Sequence, residues 1–267
     1  MIVMLLYVFA ALSAIGAVLL CALVPAISFW WLLPLFIGGF AALNGVYIVY
    51  LFFTSFFFSM KRPIKRVNPY ARAITRLTIN WLLGLFRISY SVTGEEKLPD
   101  EPFVLVSNHR SDFDPMVCFD AFRHTRLGYI SKKENLRIPI VGRHIYHCGF
   151  VPLDRKSPLQ AARAMKEAAR LMRECGVSIG IYPEGTRAKT DEMLPFKEGA
   201  FLLAKKAQAP LVIMATKNTE KITKNAPWRK TKVEVTVLRT LERETVAACT
   251  AQELADLARK EIEAHLA

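Results

Sequence analysis

Residues 107–114 read Ser-Asn-His-Arg-Ser-Asp-Phe-Asp and follow the apolar run Phe103-Val104-Leu105-Val106. His109 and Asp114 have the residue types of a general base and its partner: the carboxylate holds one ring nitrogen while the other takes a proton from a hydroxyl. Residues five apart do not stack on a helix, where neighbours are three or four apart, so the pairing needs a loop that turns into a helix. Asp114-Pro115 suits such a turn, since proline favours the first helical position and aspartate the cap before it. The same preference supports an inert reading, with Asp114 a cap and His109 a loop residue. The local sequence leaves both open.

Two further clusters carry polar chemistry. Tyr182-Pro183-Glu184-Gly185-Thr186-Arg187 follows another apolar run. In it Gly185 lets the backbone approach an anion, Thr186 adds a hydroxyl, and Arg187 can grip a phosphate through two N–H groups. A plain Pro-Gly turn is the alternative. Gly149-Phe150-Val151-Pro152-Leu153-Asp154-Arg155 brings a second arginine, Arg155, and Lys132 is a further cation near a predicted strand end. His144 and His147 form an H-x-x-H pair, but no cysteine pair or flanking carboxylate completes a metal-ligand set. The one Gly-x-Ser-x-Gly match, Gly176-Val177-Ser178-Ile179-Gly180, falls at the start of an expected strand and not on a strand-to-helix turn, which leaves a serine hydrolase without support.

The elements that must position these clusters can be read from periodicity. Apolar, β-rich runs predict strands over 103–106, 127–131, 177–182, 210–215 and 233–238. Helical spacing covers 157–175, ending before Gly176 as a helix should. Residues 196–207 also read as a helix, as do residues 251–265 with Thr250 as N-cap. Strands alternating with helices predict an α/β domain. The polar clusters fall directly after strand ends, where open α/β sheets bind ligands.

The 267 residues are 52% hydrophobic with a mean hydropathy of +0.24, and the excess is concentrated at one end. Residues 1–60 contain no Asp, Glu, Lys or Arg, so all 36 basic and 23 acidic side chains lie in 61–267. A single 60-residue helix would be about 90 Å long, against a hydrocarbon core of about 30 Å. The expectation is therefore a transmembrane hairpin, with spans at 1–23 and 31–58, Pro25 and Pro34 near the join, and Trp30-Trp31 at the interface. The first span lacks the basic start of a secretory signal. Lys61, Arg62, Lys65, Arg66, Arg72 and Arg76 follow the second span and place that side in the cytoplasm. Residues 70–90 alternate arginines with Trp81, Leu82, Leu85 and Phe86, as an amphipathic helix in the headgroup layer would; a helix packed on the domain core is the other reading. The basic loop 217–232 is a solvated face or a contact with anionic lipid. The net charge of +13 calls for an anionic partner, and a membrane anchor disfavours nucleic acid. Five cysteines without tight pairing read as free thiols in a reducing compartment.

Together the clusters resemble the glycerolipid acyltransferases, in particular the 1-acylglycerol-3-phosphate acyltransferases. The matching blocks are Asn108-His109 with Asp114, the segment from Gly149 to Arg155, Tyr182 to Arg187 (with Tyr where Phe is commoner), and Ala209-Pro210-Leu211-Val212-Ile213. The last block lacks a second proline, Ala215 standing near its place. The likeness covers about residues 87–240. It implies an α/β fold with a central mixed sheet flanked by helices, as a catalytic domain over 91–240. Around this lie the hairpin (1–60), a basic and interfacial segment (61–90) and a C-terminal helical segment (241–267). It implies His109 and Asp114 as a catalytic dyad. Arg155, Glu184, Gly185, Thr186, Arg187 and Lys132 would serve the acceptor's phosphate, directly or by shaping the loop. Lysophosphatidic acid would be the acceptor, acyl-CoA or acyl carrier protein the acyl donor, and no cofactor or metal is required. Glycerol 3-phosphate, another lysophospholipid or a non-phosphorylated alcohol are alternative acceptors. A non-catalytic binder of acyl-CoA or phosphatidic acid is the rival from another class.

The hairpin has a direct test. A cysteine at position 28 or 29 is expected to react with an impermeant thiol reagent added to intact cells, and one near residue 65 only after lysis. External labelling near residue 65 would invert the orientation.

Overall fold

The computed structural model describes residues 32–188, 190 and 192–267. The chain divides into two compact units, 1–59 and 60–267. In the first, helix α1 (Leu32–Ser55) matches the second expected span. Its 24 residues include no charged side chain, and within it the stretch Leu33–Ser55 is long and apolar enough to cross a bilayer. At 1.5 Å per residue it reaches about 36 Å. The first expected span, 1–23, lies outside the described residues.

The second unit is built on a seven-stranded mixed sheet. Its strands are β1 (Ile88–Thr93), β2 (Val104–Ser107), β3 (Leu127–Lys132), β4 (Val151–Leu153), β5 (Ser178–Ile181), β6 (Leu211–Lys217) and β7 (Thr231–Leu241). The spatial order is β1-β7-β6-β2-β5-β3-β4. The five strands from β6 to β4 run parallel, β7 is antiparallel to β6, and β1 is parallel to β7. β2 and β5 are buried at every residue, as parallel strands covered on both faces must be. β7 alternates buried and solvated residues over most of its length.

Helices cover both faces. On one side lie α5 (Pro158–Cys175), α6 (Gly199–Ala207) and α9 (Ala251–Leu266). Ala168, Leu171, Met172, Phe201, Leu203, Leu254 and Ile262 there join Val104, Val106, Ile179, Ile181 and Ile213 in one buried cluster. α5 starts one residue later than expected, because Ser157 is its cap: the Ser157 hydroxyl accepts the Gln160 N–H at 3.3 Å, Pro158 is the first helical residue, and Gly176 ends the helix as expected, at φ +63°. α9 carries a complete capping box, in which Thr250 accepts from the Glu253 N–H and Glu253 accepts from the Thr250 N–H. Its docking on β6 and α6 makes residues 241–267 part of the same compact unit as the sheet.

The other group comprises α2 (Pro69–Leu85), α3 (Asp114–Ala121) and α4 (Val141–His147). Residues 70–90, expected at the membrane interface or in the core, hold α2 with Ala71, Ile74, Thr75, Ile79 and Leu83 buried. Arg72 donates to the carbonyls of Thr125 and Leu127 at 2.7 and 3.0 Å and lies over the Phe119 ring, and Arg76 donates to the Arg123 carbonyl. Burial pulls the Arg72 guanidinium pKa below its ordinary value. These two arginines therefore tie the helix to the α3–β3 turn.

Replacing the α9 cap tests the end of the unit farthest from the chemistry. Thr250→Ala is expected to lower unfolding free energy by about 1 kcal/mol, read by chemical denaturation, with activity unchanged.

Candidate active site

Parallel strands leave their carboxyl ends on one edge of the sheet, and the sequence clusters meet there. The His109 loop leaves β2, the Tyr182–Arg187 loop leaves its neighbour β5, Lys132 ends β3, and Arg155 follows β4. One side chain fixes the start of the β2 loop to the strand beside it. Asn108 is buried, and its amide donates to the Thr216 carbonyl and accepts the Thr216 N–H, both at 2.9 Å, extending the ladder between β2 and β6.

Asp114 organises the loop that follows. Its side chain is fully buried, and Oδ2 accepts three N–H groups at 2.8 Å: the backbone of Arg110, the backbone of Ser111, and Nδ1 of His109. A carboxylate has no proton to give, so His109 Nδ1 carries the hydrogen and Nε2 is left with its lone pair. The capping reading of Asp114 is not what the structure shows. α3 begins at Asp114 itself, and no side chain caps its first turn. The carboxylate turns back instead, toward the loop that precedes it.

The imidazole is fixed on its face as well. The Tyr182 ring stacks on His109 with centroids 4.1 Å apart and planes 14° from parallel, and Tyr129 stacks behind Tyr182 at 5.8 Å. Tyr129 pairs with Gly180 across the strands, and a Cβ at Gly180 would lie 2.3 Å from the Tyr129 ring. The glycine makes room for the stack. Burial pushes both tyrosine hydroxyls well above their usual pKa. Cys118 lies one helical turn beyond Asp114, and burial, reinforced by the Asp114 charge, pushes its thiol up to about 12. That thiol stays protonated and out of reach of substrate.

Glu184 is buried, with its carboxylate spanning two backbone groups: it accepts the His109 N–H at 2.7 Å and the Leu194 N–H at 3.0 Å. Burial raises its pKa against these two hydrogen bonds. Of the two roles open to Glu184 in the sequence, it is therefore the shaping one that the geometry supports: the side chain clamps the β5 loop to the β2 loop. The Ala188 N–H donating to the His109 carbonyl adds a second tie. Gly185 adopts φ +74°, which a side chain would strain, and closes the turn with its N–H on the Tyr182 carbonyl.

The residues that follow His109 in its loop border a cleft of about 260 Å³, lined by Arg110, Asp112, Phe113, Arg187, Thr223 and Lys224 among others but not by His109 or Asp114. Arg187 pairs with Asp112 at 2.5 Å, both largely exposed. Lys132 and Arg155 do not line this cleft. They end strands two and three places from β2, about 10 and 15 Å across the sheet at the usual strand spacing. Lys132 approaches Glu134 at 3.8 Å, and Arg155 is exposed. His144 is buried with Nδ1–H donating to the Ile140 carbonyl. Among the described residues no three His, Cys, Asp or Glu side chains are grouped to hold a metal ion.

Residues 89–217, which hold every one of these loops except that of Thr223 and Lys224, match the family model described as Acyltransferase. This stretch is similar to the acyltransferase family. It is 36% identical over 140 residues to the human 1-acyl-sn-glycerol-3-phosphate acyltransferase alpha, covering 52% of this chain and 49% of that one. Against the 1-acyl-sn-glycerol-3-phosphate acyltransferase of Limnanthes douglasii it is 30% identical over 174 residues, 65% of this chain and 60% of the relative. The chain thus spans about half to three fifths of the length of these curated relatives. The crystal structure of the 1-acyl-sn-glycerophosphate acyltransferase of Thermotoga maritima shares the fold. It superposes with a TM-score of 0.60 at 22% identity, covering 83% of this chain and 87% of that one. The matched stretch begins within β1, a strand that the sequence reading did not place.

The clamp between the two loops can be broken with one atom. In Glu184→Gln, the new amide must set its own NH2 against the N–H of His109 or of Leu194. Leaving one such buried group unsatisfied costs about 1–3 kcal/mol. The variant is expected to fold with a lowered melting temperature and a disproportionate loss of turnover. Full activity would show that the clamp does not hold His109.

Proposed function

We propose that this protein transfers an acyl chain from a thioester to the free hydroxyl of 1-acylglycerol 3-phosphate, giving phosphatidic acid. The observation that carries the reading is the His109–Asp114 hydrogen bond of 2.8 Å, in a loop that borders a cleft bearing Arg110, Arg187 and Lys224. Nε2 of His109 takes the hydroxyl proton as the oxygen attacks the thioester carbonyl. Asp114 holds the ring and stabilises the imidazolium, worth roughly 10² to 10⁴ in rate. The C–S bond then breaks and the imidazolium returns its proton to the leaving thiolate. No side chain is acylled along the way, consistent with the buried, protonated thiol of Cys118.

Arg187, on the turn made by Gly185 and Thr186, would bind the acceptor's phosphate, leaving its ion pair with Asp112 or sharing it. Lys132 and Arg155 would extend the cationic edge on the other side of the dyad. The donor would be acyl-CoA or acyl carrier protein, both acidic and both suited to a chain of net charge +13. With α1 long and apolar enough to span, the protein would be an integral membrane protein whose catalytic unit faces the cytoplasm and draws on anionic lipid.

The test is a panel of acceptors assayed with both donor types. His109→Ala is expected to lose at least about 10² in turnover while still folding, with a lowered melting temperature because the buried Asp114 carboxylate loses one of its three donors. Arg187→Ala is expected to raise KM for a phosphorylated acceptor about 10- to 100-fold, the worth of a charged hydrogen bond, and to leave KM for the thioester nearly unchanged. Normal turnover in His109→Ala would overturn the mechanism. Equal effects of Arg187→Ala on both substrates would overturn the phosphate assignment.

A further inference from the structure

The connection from β6 to β7 takes no part in the dyad, yet it has an unusual surface. Residues 217–232 contain Lys217, Lys221, Lys224, Arg229, Lys230 and Lys232 against the single acid Glu220. At its tip is Trp228, 84% exposed, the most exposed of the large apolar side chains described in the 60–267 unit. The tip is held firmly. Ile222 is fully buried, the Ala226 N–H donates to the Ile222 carbonyl, and the Arg229 N–H donates to the Asn225 carbonyl at 2.7 Å. The Arg87 guanidinium donates to the Trp228 carbonyl at 2.9 Å, and the Thr231 N–H donates to the Arg87 carbonyl. An indole on a backbone pinned at both ends is presented, where a loop facing only water would gain by folding it inward.

The tip also stands on the rim of the cleft. Thr223 and Lys224, in the short helix α7 (Ile222–Asn225), line it. Phe113, also in the lining, packs on Phe86 at 4.9 Å, and Phe86 precedes the Arg87 that holds the Trp228 carbonyl. Leu85, one residue earlier, is also exposed. An exposed indole and an exposed leucine thus accompany the six cations of residues 217–232, which carry one acid between them, Glu220. Indole favours the boundary between hydrocarbon and headgroups, and lysine and arginine favour lipid phosphates.

We propose that residues 218–230 dock the rim of the cleft on an anionic lipid surface, with Trp228 seated at headgroup level and Lys221, Arg229 and Lys230 on lipid phosphates. The docking itself stands on exposure and charge. Its consequence, that a lipid acceptor enters the cleft from the bilayer without passing through water, rests on the transfer reaction proposed above.

The test uses the full chain in liposomes whose lipids carry brominated acyl chains, which quench nearby indoles. The protein has four tryptophans, so the signal of Trp228 is the difference between wild type and Trp228→Phe, a change at a side chain with almost no packing. That difference signal is expected to be quenched in phosphatidylglycerol liposomes and much less in phosphatidylcholine liposomes. Arg229→Glu combined with Lys230→Glu is expected to weaken the quenching, by roughly fivefold in binding for each charge removed. No quenching in either lipid overturns the proposal, and equal quenching in both overturns the anionic surface. This readout needs no turnover, so it stands if the transfer reaction fails. Where turnover is present, Trp228→Ala is expected to slow transfer to a long-chain acceptor in the bilayer and to spare a short-chain acceptor that is monomeric in water. Equal loss on both overturns entry from the bilayer.

Discussion

The structure around the site turns on one buried charge. The Asp114 carboxylate has no contact with water, and an isolated ion in such a place would be far too costly to keep. It is tolerated because three N–H groups converge on one of its oxygens. Those donors come from three consecutive residues, so satisfying the charge dictates the path of the chain from His109 to Ser111. Catalytic geometry and local folding are here the same requirement. Glu184 repeats the solution with two backbone donors, one of them on His109. The histidine is thus tied by its ring to one carboxylate and by its backbone to another, on loops from adjacent strands. Removing either charge leaves donors stranded in the interior, which is why the dyad cannot be regarded as an ornament on an independent scaffold.

Much of this was legible in the residues. The strands at 103–106, 127–131 and 210–215 appear within a residue or two, because continuous apolar runs are what a doubly covered parallel sheet needs. Helices α5 and α9 were marked by Gly176 and Thr250, whose backbone roles the structure bears out. β1 was missed although Ile88, Tyr90 and Val92 alternate with Ser89, Ser91 and Thr93, because residues 70–90 were read as one helical segment that overran its start. β4 is three residues long and contains Pro152, which hides it altogether.

The site shows the same division. His109, Asp114 and the Glu184–Arg187 turn were visible as residue types after strand ends. What stayed invisible was relational. Asp114 looked equally like a helix cap, and only the direction of its carboxylate separates the two. The stacking of Tyr182 on His109 and the place that Gly180 leaves for Tyr129 depend on strand register, which one sequence does not display. Lys224 comes from a basic loop that reads as an ordinary solvated face until the cleft is seen.

The stacked slab of Tyr129, Tyr182 and His109 constrains the order of events. An imidazole held at Nδ1 and covered on one face has a single pose, so it cannot swing between two stations. In the proposed transfer the attacking oxygen and the departing sulfur must therefore both approach the same Nε2 within one encounter. Donor and acceptor have to occupy the enzyme together, which makes the kinetics sequential through a ternary complex. A ping-pong scheme, in which one product leaves before the second substrate arrives, would need an acylated side chain, which the proposed direct transfer does not use.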